Sequence, residues 1–341
     1  MHKNTSDKNL PIFILMATYN GAKYLGAQIA SIKAQTLAHW FLLVRDDGST
    51  DGTVALLKHF AEHDSRILLI DDALGTLGAA QNFGQLMKQA LALSGSYFAF
   101  SDQDDVWNPN KLERQFKRLL QLETQYSEDT PILIHSDLTV VSEKLDVICS
   151  SFMSYQGIRN PATPAPTTVI FQNHIVGCTL LGNKALLEKA TPLPPDTYMH
   201  DWWLGLFTAF FGITEFIPQS LVAYRQHSTN QVGAGGIRWL LKPTTWYRIA
   251  LKLNRLLDCS ISQSQELLKH SNYQEPRCKP MIPTTSLQDF AKLSDYRLAK
   301  RITTTLKHKI HCQNGVLTAF LYVQIACFPL LQRYNRKGAR K

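Results

Sequence analysis

Four short apolar runs open the sequence, and helical spacing fills each gap between them. Ile12–Thr18, Phe41–Val44, Arg66–Ile70 and Tyr97–Phe100 are too short and too uniformly apolar for surface helices. They suit strands covered on both faces. Tyr24–Gln35, Thr53–Glu62 and Ala79–Leu93 carry apolar residues at helical intervals. A β-α-β-α-β-α-β order demands a parallel sheet with right-handed crossovers. In such sheets ligands bind beyond the carboxyl ends of the strands. Three polar clusters fall at those ends: Thr18-Tyr19-Asn20, Asp46-Asp47 and Asp102-Gln103-Asp104-Asp105.

The rest of the chain is less regular. Ile132–Ile134 reads as a further strand, Gly157–Thr168 as a Pro-rich loop, His200–Phe211 as an apolar helix and Glu215–Tyr224 as a last strand. Gly233–Gly236 marks a boundary, giving a body of residues 1–232 and a C-terminal region of 233–341. A length of 341 residues fits two domains, or one with an appendage. The apolar content of 45% excludes general disorder. Only one long uncharged stretch exists, which excludes a polytopic membrane protein. The net charge of +9 hides a split, because 19 Lys and Arg face only 5 Asp and Glu after residue 237. Six cysteines without a CxxC argue against a zinc ribbon, a thioredoxin motif or a disulfide scaffold. The polar N-terminus lacks an apolar segment suited to a signal peptide, so the expectation is a cytosolic protein.

The basic region carries two apolar features. Trp246, Ile249, Leu253, Leu256 and Leu257 share one helical face, with Arg248, Lys252 and Arg255 opposite. That suits a helix lying in a membrane interface, or one packed on the body with its basic face in water. Between Cys312 and Gln332 no charge occurs, and five cations follow, from Arg333 to Lys341. This segment would span, lie in the interface or pack in the core. Its basic tail favours an anionic cytoplasmic leaflet.

Acids concentrated at strand ends carry the chemistry. Three carboxylates within four residues repel unless a cation or hydrogen-bond donors compensate them. Hard divalent ions use one or two carboxylates and complete their shell with substrate phosphates. Asp104 or Asp105 would alternatively cap the next helix. Asp47 has room to hydrogen-bond a base or ribose. Asp201 is an ordinary first-turn acid, or a general base if it faces a substrate hydroxyl. His135 and Asp137 fit a structural role as well as a lining one. His174 and His200 lack zinc-type spacing, and Cys178 suits a buried small residue. Trp202 and Trp203 suit the core, or one of them a sugar platform.

Taken together, the clusters resemble the family 2 glycosyltransferases, inverting enzymes with the GT-A fold. The carriers are Ala17-Thr18-Tyr19-Asn20-Gly21, Arg45 through Thr53, Gly78 with Asn82-Phe83, and Ser101 through Trp107. They end with His200-Asp201-Trp202-Trp203 and Tyr224-Arg225-Gln226-His227, which look most like the rhamnosyltransferase-type branch that builds bacterial surface polysaccharides. The resemblance implies an α/β GT-A body with a mostly parallel central sheet, and a basic helical extension follows it. It implies Ala17 and Tyr19 flanking a nucleotide base, with Asp47 hydrogen-bonding it. Asp102 would contact the ribose or the metal shell, and Asp104 would ligate Mg²⁺ or Mn²⁺. Arg225 and His227 would approach the diphosphate, and Asp201 would deprotonate the acceptor hydroxyl. Asn173, Gly177 and Trp202 would lie on the acceptor side. Implied partners are a nucleotide-diphosphate sugar, a glycan or lipid-linked glycan acceptor and an anionic membrane surface, with no nucleic acid. The Gln-x-x-Arg-Trp motif of processive members is absent, which implies limited sugar addition. Thr18-Tyr19-Asn20-Gly21 is not the Gly-rich loop of a sugar-1-phosphate nucleotidylyltransferase. A non-catalytic membrane or nucleic-acid binder using the basic region is the alternative.

Overall fold

The computed structural model describes residues 10–158, 166–227, 246–273 and 280–310, with 318–319, 321–323 and 325 beyond them. The strands are β1 (Ile12–Thr18), β2 (Trp40–Asp46), β3 (Ile67–Leu69), β4 (Tyr97–Ser101), β5 (Val106–Trp107), β6 (Ile132–Val141), β7 (Val147–Cys149), β8 (Leu181–Asn183) and β9 (Ile213–Arg225). The helices of the body are α1 (Ala22–Lys33), α2 (Thr53–His63), α3 (Ala79–Ala92), α4 (Lys111–Tyr126), α5 (Phe152–Gln156), α6 (Pro166–Val169), α7 (Lys184–Ala190) and α8 (His200–Phe211). Three more follow: α9 (Trp246–Tyr273), α10 (Thr285–Ala291) and α11 (Leu298–Lys307).

One sheet runs in the order β3-β2-β1-β4-β8-β6-β9-β5, with β7 added to β6. The first four strands are mutually parallel, as the alternating pattern requires. Beyond β4 the sheet turns mixed. β8 lies antiparallel to both β4 and β6, β6 is parallel to β9, and β5 is antiparallel to β9. The expectation of a mostly parallel sheet therefore holds for its N-terminal half. β8 has only three residues, Leu-Gly-Asn, too few to show a period in the sequence.

Alternation along β1 explains why both faces are buried. Phe13 and Leu15 join one core with α3, α7, α8, α9 and α10, through residues such as Leu86, Leu187, Trp203, Leu257 and Phe290. Ile12, Ile14 and Met16 join the other with α1, α2 and α4, through Leu25, Leu57 and Leu119. Successive side chains on a strand point to opposite faces, so one apolar run feeds two cores. The register pairs Thr18 with Asp46 and Met16 with Ser101. The polar ends of β1, β2 and β4 thus meet along one edge.

The C-terminal helices continue the first core. Leu257, Ile261 and Leu267 of α9 pack with Trp203 and Phe207, and Ser260 donates to the Ile170 carbonyl. The Met281 amide donates to Phe210 O at 2.9 Å. In the stripe that suited a membrane interface, Leu257 is buried, Leu256 packs against the same core, and Arg255 is exposed. For these residues the basic-face-outward packing on the body is the one observed. Trp246 to Leu253 form part of α9, but their side chains fall outside the described residues, as does the Gly233–Gly236 boundary. Of the uncharged 312–332 stretch, Leu321 and Ile325 are buried in the core. Among the described residues no helix is long and apolar enough to cross a membrane.

Candidate active site

At the end of β2, a loop is built around two acids. Asp46 accepts Thr18 Oγ1 at 2.8 Å, Ser49 Oγ at 2.6 Å, and the amides of Gly48 and Ser49. Asp47 is buried and accepts the amides of Leu77 and Gly78, each at 2.8 Å. Arg45 donates to Asp47 at 3.0 Å and grips Asp72 through two nitrogens, each at 2.9 Å. The charge-assisted bond to Asp72 is the main reason the Arg45 guanidinium is held above its ordinary range. Asp47 therefore ties β2 to the loop before α3, with part of one carboxylate oxygen left for a ligand.

Ala17 is half-buried in β1, and Tyr19 beyond it is 51% exposed. Gln103 clamps this loop to the acidic one, accepting Tyr19 N and donating to Tyr19 O, both at 2.9 Å. A β-carbon on Gly21 would lie 2.1 Å from Gln103 Oε1, so the clamp requires glycine there.

The acidic loop after β4 is compensated differently. Asp104 Oδ2 meets His227 Nε2 at 2.7 Å, and the His227 ring stacks on Tyr24. Asp105 is fully buried and accepts Arg225 N at 3.0 Å. Its Oδ2 has no hydrogen-bond partner among the described residues, and the Cys178 thiol and the Asp102 carboxylate lie close to Asp105. Burial raises Asp105 well above the carboxylate range, with Asp104 and Asp102 adding to it. Burial also pushes Asp102 up to about 7, helped by the charges of Asp104 and Asp201. Neither Asp104 nor Asp105 caps the next helix; α4 starts after Asn110 with no side-chain cap.

Asp201 stands near Asp102, close enough to shift it. Asn173 Nδ2 donates to its Oδ1 at 3.0 Å, Gly177 N to its Oδ2 at 2.9 Å, and Trp202 N to its Oδ1 at 2.6 Å. Burial outweighs these donors and pushes the carboxyl up to about 7. Gly177 is needed for this approach, since a β-carbon would lie 2.8 Å from His200 Nε2.

The structure thus brings together Asp102, Asp104, Asp201, Asn173, Gly177 and His227. Two of the expected residues are engaged within the protein itself. Trp202 is buried among core residues, and its indole donates to Val169 O at 2.7 Å. The α8 face it occupies is core, because α8 is buried along nearly its whole length. Arg225 serves the acidic loop, donating from Nε to Asp104 O at 2.7 Å and from Nη1 to Glu143 O. The sequence missed Gln103, Asp105 and Glu143 as organisers. The first two sit inside a quoted motif, whereas Glu143 carries no signal at all. Asp137 binds Ser151 Oγ and the amides that open α5, a structural role. His200 packs against Phe83 and Phe100, and burial drives it down to about 3.

A divalent cation fits the mouth of this site. Burial chiefly pushes Asp102 to about 7, and such an ion would relieve both that cost and the repulsion from Asp104 and Asp201. Asp102, Asp105 and Cys178 also offer atoms within 4.8 Å of one another. That deeper trio suits a hard ion poorly, because burial pushes the Cys178 thiol well up and keeps it protonated.

Comparison with known proteins agrees with this geometry. The Glycosyl transferase family 2 sequence model matches residues 13–172. The putative teichuronic acid biosynthesis glycosyltransferase TuaG of Bacillus subtilis is 30% identical over 246 residues, 69% of this chain and 86% of TuaG. The chain belongs to glycosyltransferase family 2. The dTDP-rhamnosyl transferase RfbG of Shigella flexneri is 28% identical to this glycosyltransferase over 261 residues, 73% of this chain and 87% of RfbG. The crystal structure of S. aureus TarS 1–349 with UDP superposes with a TM-score of 0.51 at 15% identity, covering 96% of this chain and 92% of that one. The fold is GT-A. As a family 2 glycosyltransferase the chain is an enzyme, which disposes of the non-catalytic alternative.

Proposed function

We propose that this glycosyltransferase moves a sugar, with inversion, from a nucleotide-diphosphate sugar to a hydroxyl of a lipid-linked glycan in bacterial surface polysaccharide synthesis. Relatives named for teichuronic acid biosynthesis and for dTDP-rhamnosyl transfer support the pathway class and a rhamnosyl-type donor. The observation that carries the chemistry is the Asp201 carboxylate, held by three donors beside Asp102 and poised at about 7.

Asp201 takes the proton from the acceptor hydroxyl as its oxygen attacks the anomeric carbon. A base with a pKa near the working pH combines availability with driving force. Asn173 and Gly177 hold both carboxylate oxygens, so the base keeps one orientation. The bond from the anomeric carbon to the diphosphate breaks on the opposite face, and one in-line displacement inverts the centre. Asp102 and Asp104, with His227, would hold Mg²⁺ or Mn²⁺, which supplies Lewis-acid neutralisation of the diphosphate leaving group. Arg225 fixes the loop that carries these acids. Tyr19 and Ala17 offer a surface for the base, and Asp47 the acceptor capacity left on its Oδ2. The apolar and basic C-terminal region would keep the enzyme peripheral on the inner face of the cytoplasmic membrane, where lipid-linked acceptors lie.

Calorimetric titration of nucleoside diphosphates and their sugars, with Mn²⁺ or Mg²⁺ and then with EDTA, tests this. Binding should require the ion and weaken in Asp104→Ala. Binding and transfer unchanged in EDTA would overturn the metal assignment.

A further inference from the structure

Helix α11 faces the wrong way for a helix held only by its own protein. It covers the body with Arg301, Thr304 and Thr305, which are buried, and turns an apolar stripe to solvent. Leu298 is 52% exposed, Ile302 39% and Leu306 55%. Residues four apart on a helix lie on one face, so these three form a continuous ridge. Helices at protein surfaces ordinarily point such a ridge at the core. Arg297, Lys307 and Lys309 are exposed beside it, and Lys292 and Lys300 are exposed on the same part of the surface, against Asp289 and Asp295 among the described residues 285–310. Asp289 takes up part of that charge through Lys307 and His308.

We propose that α11 docks the enzyme on an anionic bilayer surface, with Leu298, Ile302 and Leu306 entering the headgroup boundary and the flanking cations meeting lipid phosphates. An apolar ridge bordered by Lys and Arg is the pattern of a helix lying in a membrane interface. Each cation near an anionic leaflet adds to the attraction, and the sum is sensitive to salt. A second copy of the chain fits the ridge less well. A ten-residue helix is about 15 Å long, and a stable interface needs about 800 Å² from each partner. Three side chains do not supply that area. The proposal gives the peripheral membrane attachment proposed above a defined surface, and rests on that reading for the location of the acceptor.

Co-sedimentation of the full chain with vesicles tests it without any sugar present. The vesicles are phosphatidylcholine alone, or phosphatidylcholine mixed with phosphatidylglycerol. The chain should bind the mixed vesicles, bind neutral ones weakly, and be released by high salt. The combined variant Leu298→Ser, Ile302→Ser, Leu306→Ser should lower partitioning about tenfold or more. Arg297→Glu with Lys300→Glu, which leaves the ridge intact, should lower it too. Circular dichroism melts verify that both variants fold. Equal binding by the serine variant, equal binding to neutral vesicles, or a dimer that the serine variant abolishes would overturn the proposal. Transfer to a water-soluble acceptor, measured in parallel, should persist in the serine variant. Loss of vesicle binding alone then bears on the docking surface, and absence of transfer in the wild-type chain bears on the catalytic reading.

Discussion

The acids after β2 and the acids after β4 lie on one edge of the same sheet and are built in opposite ways. Asp46 and Asp47 meet protein donors at every carboxylate oxygen: two hydroxyls, four amides and a buried guanidinium. Asp102, Asp104 and Asp105 have fewer. One oxygen of Asp105 has no hydrogen-bond partner among the described residues, and burial pushes Asp102 up to about 7. Identical residue types therefore do different work. A carboxylate whose lone pairs are filled by its own chain shapes a loop, and one left short of donors retains capacity for a cation.

The largest effect should come from the acid side. Asp201→Asn keeps the shape and removes the base, so kcat should fall about 10²–10⁴-fold. Nucleotide affinity, read by calorimetry, should stay nearly unchanged; loss of both would make Asp201 structural. On the filled side, Arg45→Met should cost stability instead. It leaves the buried Asp47 and its neighbour Asp72 without their cation, a loss of about 3–5 kcal/mol in chemical denaturation. A small loss there, with weakened nucleotide binding, would blur the contrast between the two loops.

The pH response sharpens the same comparison. Asp102 and Asp201 both titrate at about 7 in the fold, chiefly through burial, whereas an unfolded Asp titrates at about 3.9. Between about pH 4 and 7 the unfolded chain has released these protons and the folded chain retains them. Their contribution to stability therefore falls as pH rises through that window and levels off above it. Thermal melts of ion-free protein should show this slope, and Asp102→Asn combined with Asp201→Asn should flatten it. Activity should run the other way, with kcat rising as Asp201 deprotonates near pH 7. Gly177→Ala should have the smallest effect, about 1–3 kcal/mol of overpacking as the new methyl meets His200. A fall in kcat exceeding that loss would show that the Gly177 amide also orients the base.

Much of this was legible because strand period and strand ends are local signals. The order of β1 to β4 and their helices followed from apolar runs and helical intervals, and α8 runs from His200 to Phe211 as read. Asp104 and His227 were both picked out, 123 residues apart, yet nothing in their spacing says that they touch. The mixed half of the sheet was not legible, because β8 is three residues long and pairs with strands far from it in sequence. Trp202 was placed with its neighbour Asp201, although adjacent residues on a helix point about 100° apart. One reaches the cleft and the other the core.

The sequence alone determined which residues could form strands, where charge would gather, and which family motif those charges belong to. Tertiary structure decided which carboxylates are satisfied, since Leu77 and Gly78 reach Asp47, and Asn173 and Gly177 reach Asp201, from 24 to 31 positions away. It also decided the direction of α11: the composition of a helix gives it an apolar ridge, but only packing against the body fixes which face is left outside.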